Sequence, residues 1–185
     1  MSDENNNFQA HAKRPDEAAL LRAKLCGTPT CFDISACPYF AINAAPAIAQ
    51  EVHIAPHDSR WASQFAVERE RLLALLPGHF SAIEHVGSTA VAGLAAKPII
   101  DLLAGVTAIS ETDALLEPLS AQGYETSAEF NATLPDRRWL MRHAFGKRTH
   151  HLHLVVFGGE RWIQWVQFRD LLRADAAIAA RYEQR

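Results

Sequence analysis

The chain has 185 residues, of which 49% are hydrophobic and 21% charged, with a formal net charge of −3. That length holds one ordinary domain with a proper core, and the composition is that of a soluble globular protein. No apolar run approaches the ~20 residues needed to cross a bilayer, and the slight acidic balance gives no general electrostatic case for a nucleic-acid or membrane partner.

Residues 1–50 read as an N-terminal extension, polar and partly disordered from Met1 to Pro15. Its first residues lack the basic and apolar regions of a signal peptide, so a cytoplasmic location is expected. Glu17 to Leu25 suits a short helix capped by Asp16. Cys26, Cys31 and Cys37 are spaced unlike any common zinc pattern and are expected to be ordinary reduced thiols.

A folded domain is expected over 51–185. Val52 and Ile54 alternate with His53 and Ala55 as a short strand ended by Pro56. Asp58 or Ser59 then caps a helix from Arg60 to Leu76, with Trp61, Phe65, Leu72 and Leu76 on its apolar face and Glu68, Arg69 and Glu70 near the other. Strands follow at Phe80 to Val86 and Pro98 to Val106. Ser110 caps a helix to Ala121, and Gly123 turns the chain into a strand at Tyr124 to Thr126. Arg138 to Phe145 and His150 to Phe157 form two more strands joined through Gly146-Lys147-Arg148-Thr149. Helices at Glu160 to Arg173 and Asp175 to Glu183 close the chain. Five or six strands with interspersed helices predict an α/β (α+β) domain.

The stretch from Glu84 to Asp101 carries the most chemistry. An apolar strand enters a Gly87-Ser88-Thr89 turn, Lys97 follows, and a second apolar strand carries one carboxylate, Asp101. Gly87 lets the backbone approach a phosphate, Ser88 and Thr89 add hydroxyls, and Lys97 adds a point charge. Asp101 suits Mg²⁺, which takes one or two carboxylates plus phosphate oxygens. A charge flanked by Ile99, Ile100, Leu102 and Leu103 needs a partner or a metal. The bland alternative is a simple turn, with Lys97 in water and Asp101 at a strand end.

The run from Ile83 to Asp101, I-E-H-V-G-S-T-A-V-A-G-L-A-A-K-P-I-I-D, resembles the core signature of the GrpB family. His57 to Trp61 with Phe65, Thr149 to Leu154, and Phe168 to Arg173 are similar to other parts of that family, so the resemblance covers about 51–185. It implies a nucleotidyltransferase-like mixed sheet flanked by helices. It further implies that Gly87-Ser88 is the nucleotide-gripping turn and Asp101 the first metal carboxylate, with Mg²⁺ as cofactor. The nucleotidyltransferase superfamily, with which that family is grouped, places a second acid two residues after the first, where this chain has Leu103. Ala92 stands where the family usually has proline. Family members also occur fused to a coenzyme A biosynthesis kinase, which implies an accessory or chaperone-like role as an alternative.

His151 and His153 share one face of their strand, while His150 shares the other with Leu152 and Leu154. The pair can bind a metal or phosphate oxygens, or simply face solvent. Glu84 is a candidate for the missing metal carboxylate or a partner for Arg142. Arg142 and Arg169 are candidate phosphate clamps. Trp61, Trp162, Trp165 and Phe168 fall at helical spacing and are expected in the core. The expected function is binding of a nucleotide or other phosphate-bearing small molecule with a divalent metal. Asp101, Lys97, His151 and His153 are the candidate catalytic residues for nucleotidyl transfer to an unknown acceptor, and Gly87, Ser88, Thr89, Lys97 and Arg142 the candidate ligand-binding ones. An inactive nucleotide-binding module is the alternative.

Overall fold

The computed structural model of the chain describes residues 53–184. The N-terminal helix, the disordered segment and the three cysteines expected above all lie outside the described residues, as does Val52. Ala55 makes an isolated antiparallel bridge to Ala96 in place of the expected first strand.

Helix α1 spans Arg60–Leu75. Asp58 caps it, its Oδ1 accepting from the Arg60 N–H at 2.9 Å. Strands β1 (Ala82–Val86) and β2 (Ile100–Val106) follow. Helix α2 is Asp113–Ala121, β3 is Tyr124–Glu125, and α3 is a single turn, Ala128–Ala132. Strands β4 (Arg137–Ala144) and β5 (Lys147–Val156) form a hairpin, and helices α4 (Glu160–Ala174) and α5 (Ala176–Glu183) end the described chain. The strands make one five-stranded mixed sheet in the order β1-β2-β5-β4-β3. Among the described strands, only β2 and β5 run parallel.

Both faces of this mixed α/β sheet are covered. On one, Ile100, Leu102, Ala104, Leu152 and Leu154 pack with Trp61 and Leu72 of α1 and Leu115 and Leu119 of α2. On the other, Leu103 and Val155 pack with Trp162 and Trp165 of α4. Central strands covered on both sides read as near-continuous apolar runs, which is the pattern of Ile99 to Val106. Gly105 is required by this packing, because a Cβ there would lie 2.8 Å from Phe157 Cδ2 and 3.0 Å from the Trp162 ring. Trp61, Trp162, Trp165 and Phe168 are all buried, as their spacing predicted.

Four expectations are corrected. Ser110 does not cap α2; a 3-10 turn at Ile109–Glu111 precedes it, and the Thr112 hydroxyl bonds back to the Ile109 carbonyl at 2.5 Å. The β4–β5 turn is Phe145-Gly146 rather than four residues, with Ala144 paired to Lys147. Both turn residues have positive φ, 53° and 73°, the backbone of a tight hairpin turn. Helix α3 was not foreseen. Ser127 caps it, and buried Asn131 bonds to the Trp139 N–H and carbonyl.

The fourth correction concerns Glu68, read as lying toward the solvent side of α1. It is 3% exposed. Arg71 reaches it at 2.5 Å, the Tyr124 hydroxyl donates at 2.7 Å, and Arg142 of β4 donates at 2.8 Å. Burial opposes its charge, but these hydrogen bonds and the two guanidinium charges outweigh it and hold the carboxyl below its ordinary range. The cluster ties α1 to the sheet edge. Removing one member of a buried ion-pair network leaves the others uncompensated. Glu68→Ala is therefore expected to lower the unfolding free energy by about 3 kcal/mol, read as a lower urea midpoint at unchanged slope; Glu68→Gln, which keeps an acceptor for Tyr124, should lose less.

Candidate functional site

The β1–β2 ladder pairs Val86 with Asp101, and the parallel β2–β5 ladder pairs Asp101 with His151 and Leu103 with His153. Side chains of paired residues share a face, so Asp101, His151 and His153 emerge together on the α4 side of the sheet. His151 Nδ1 donates to Asp101 Oδ1 at 2.9 Å, and His153 Nε2 lies 3.8 Å from the same oxygen. The Asp101 and His151 side chains are 21% and 18% exposed, whereas His153 is 6% exposed. Two tryptophans flank the imidazoles: the Trp139 ring centre is 5.3 Å from that of His151, and the Trp165 ring 4.6 Å from that of His153.

Electrostatics follow from this packing. Burial works against ionisation of Asp101, but the hydrogen bond from His151 and the approach of the His153 ring nitrogen outweigh it, so its carboxyl sits well below the usual range. Burial pushes His153 down to about 4, so its ring is neutral at neutral pH.

Gly87 follows β1 directly. Its φ of 74° with ψ of −177° belongs to a region essentially restricted to glycine, and it opens the 3-10 turn Ser88–Ala90. Four contacts from α4 and α5 hold this loop. Arg169 donates to the His85 carbonyl at 3.0 Å and Arg173 to the Ala90 carbonyl at 2.9 Å. The Tyr182 hydroxyl meets Ser88 Oγ at 3.1 Å, and Glu183 accepts from the Ala95 N–H at 2.9 Å.

The candidate residues therefore divide. Asp101, His151 and His153 come together, with Gly87 and Ser88 beside them. Thr89 does not offer its hydroxyl outward: it is 4% exposed, donates to the Ile99 carbonyl at 3.2 Å and meets His85 Nε2 at 3.1 Å. Arg142 pairs with His150 in the ladder, so it lies on the opposite face of the sheet, bound to Glu68 rather than to Glu84. Glu84 shares the face of Asp101, but Arg169 holds it at 2.6 Å, and the metal-capable cluster among the described residues is Asp101, His151 and His153 without it. Arg169 is itself buried by this pairing and by Asp170, and serves as a structural clamp. Lys97 is exposed ahead of β2. Sequence reasoning missed Tyr182 and Trp139 as neighbours of the site, since each arrives only through tertiary packing. Leu103, at the position of the absent second acid, is fully buried against the tryptophans of α4.

The Mg²⁺ implied by the resemblance does not fit this donor set. Mg²⁺ takes oxygen ligands in a strict octahedron, and here two of the three convergent side chains offer nitrogen.

Residues 51–185 match the family described as GrpB protein, and the chain belongs to that family. It is 36% identical over 133 residues to the UPF0157 protein YqkA of Bacillus subtilis, an alignment that takes in 72% of this chain and only 38% of YqkA. It is similar to the crystal structure of the conserved protein GrpB from Enterococcus faecalis, with 38% identity and a TM-score of 0.65 over 71% of this chain and 79% of that one. A shorter stretch, 92 residues or 47% of the chain, is 35% identical to 23% of a dephospho-CoA kinase from Mycolicibacterium paratuberculosis.

His85 supplies a test of how tightly the turn is held to the sheet. It is 7% exposed, stacked on Phe65 at 4.7 Å, and burial pushes it from 6.5 down to about 4. Between these values the unfolded chain binds a proton that the folded one refuses, so stability falls as pH is lowered through that window. His85→Gln should flatten the fall in urea midpoint between pH 7 and 4.5, by at most about 3 kcal/mol.

Proposed function

We propose that this GrpB-family chain is a nucleotidyltransferase-like domain that binds a nucleotide, or another phosphate-bearing small molecule, on the sheet face between the Gly87 turn and Asp101. The observation that carries this reading is the Val86–Asp101 register, which sets a glycine-opened turn directly beside an ionised carboxylate flanked by two histidines. A phosphate next to an ionised carboxylate is repelled unless a cation lies between them. The turn therefore has a use as a phosphate grip only if Asp101 and the histidines hold that cation. Ser88 exchanges its Tyr182 partner for the phosphate, and Lys97, exposed and one short segment away in the chain, supplies a mobile positive charge.

Binding without transfer is the form of this reading that the side chains favour. Two-metal phosphoryl chemistry needs carboxylates shared between the metals, and Leu103 is apolar while Glu84 is bound to Arg169. The likeness to part of a dephospho-CoA kinase favours an accessory role beside a nucleotide-handling enzyme. A nucleotide ligand makes the cytoplasm the compartment in which the domain works.

Calorimetric titration of the full chain with each nucleoside triphosphate and with dephospho-CoA, with and without divalent cation, tests this. One ligand should bind in the presence of the cation, and Asp101→Asn should weaken it at least about tenfold, or 1.4 kcal/mol. Binding unchanged by Asp101→Asn contradicts the proposal, as does the lack of any phosphate-bearing ligand. Pyrophosphate release with a bound triphosphate would restore nucleotidyl transfer.

A further inference from the structure

We propose that Asp101, His151 and His153 are a three-ligand site for a borderline divalent metal of the Zn²⁺, Mn²⁺ or Fe²⁺ class. The inference deepens the ligand-binding reading, but it stands on the ligand set alone and is tested without nucleotide.

The geometry is that of a ligand cage. One ligand atom from each residue lies within 4.8 Å of the other two. His151 Nδ1 and His153 Nε2 stand 2.9 and 3.8 Å from Asp101 Oδ1. Ligands about 2.0–2.2 Å from a metal sit roughly 3.0–3.5 Å from one another in octahedral or tetrahedral sites, so both separations from Asp101 Oδ1 are within a few tenths of an ångström of that range. The 3.8 Å separation at His153 is too long for a hydrogen bond. Its ring nitrogen faces the carboxylate without bonding to it, in a residue 5% exposed.

The donor chemistry selects the metal. Imidazole nitrogen suits Zn²⁺, Fe²⁺ and the other later first-row ions, and two histidines with one carboxylate on one face is a recurrent set for them. Three protein ligands leave one position open in a tetrahedral site and three in an octahedral one. The partial exposure of Asp101 and His151 puts those positions on the solvent side, where a phosphate oxygen of a ligand reaches them.

The backbone presents the cage ready-made. Asp101 and His151 are paired residues on adjacent parallel strands, and His153 follows two places along β5 on the same face. Trp139 and Trp165 pack on the two rings from the flanks. Rigid elements and packed rings hold ligand atoms at fixed separations before any metal arrives.

The test is calorimetric titration of the chelator-treated full chain with Zn²⁺, Mn²⁺ and Mg²⁺, in a Cys26→Ser, Cys31→Ser, Cys37→Ser background that removes competing thiolates. One equivalent of Zn²⁺ or Mn²⁺ should bind at least about a hundredfold tighter than Mg²⁺, and His151→Ala and His153→Ala should each weaken it by about a hundredfold or more. Because the His153 variant opens a hole in a packed layer, a second readout uses the parent chain: electron spin echo of the Mn²⁺ complex should show two imidazole nitrogens. Mg²⁺ binding as well as Zn²⁺, metal binding indifferent to His151→Ala, no bound metal, or an echo without imidazole coupling each overturns the inference. Metal bound without any nucleotide affinity would sink the preceding proposal alone. Nucleotide bound with Mg²⁺ in an Asp101-dependent way, with Zn²⁺ and Mn²⁺ bound no tighter than Mg²⁺, would sink this one alone.

Discussion

A carboxylate set into a hydrophobic central strand must be compensated, and around Asp101 the compensation comes from across the sheet rather than along the chain. Removing an isolated charge from water costs several kcal/mol even after the protein relaxes. Its neighbours in β2 are aliphatic, so the strand itself offers nothing. The parallel pairing of β2 with β5 brings His151 alongside, with His153 one step further, and the His151 hydrogen bond and the nearby His153 ring keep the carboxyl ionised. The site therefore depends on one long-range pairing. A slip of that register by one residue would send both histidines to the opposite face and leave the carboxylate buried without a partner.

The rest of the fold fixes what surrounds that pairing. Helix α4 covers the sheet face beyond Asp101 and carries Arg169 and Arg173, which grip carbonyls of the chain on either side of the Gly87 turn. Helix α5 adds Tyr182 and Glu183 to the same loop. On the opposite face a second buried carboxylate, Glu68, is satisfied by two arginines and a tyrosine. The two carboxylates differ in their partners. Arginine and tyrosine ligands saturate Glu68 and leave it a structural tie. Histidines leave Asp101 with partners that can themselves bind a metal.

Much of this was legible in the sequence wherever period and alternation settle the matter. Helices α1, α4 and α5 begin and end within a residue or two of where caps and apolar spacing put them. Alternation correctly sent His150 to one side and His151 with His153 to the other. What alternation does not show is which strand lies beside which: the meeting of His151 with Asp101 spans fifty positions and needs a crossover connection whose course is not written locally. Arg142 was misplaced for the same reason, since its pairing with His150, already directed to the other side, fixes its face. Glu68 looked like part of a charged run with Arg69 and Glu70, and its partner Arg142 is too distant in the chain to betray its burial. The two-residue hairpin was obscured by Phe145, an unlikely residue for positive φ that only the strand register imposes.

Anomalous diffraction from crystals of the full chain grown with Mn²⁺ addresses the centre of this account most directly. The expected result is one strong peak about 2.1–2.3 Å from an Asp101 carboxylate oxygen and from one ring nitrogen each of His151 and His153. A map with no peak at that position, in which the 2.9 Å His151–Asp101 hydrogen bond persists, would show that the cluster serves only to satisfy a buried charge.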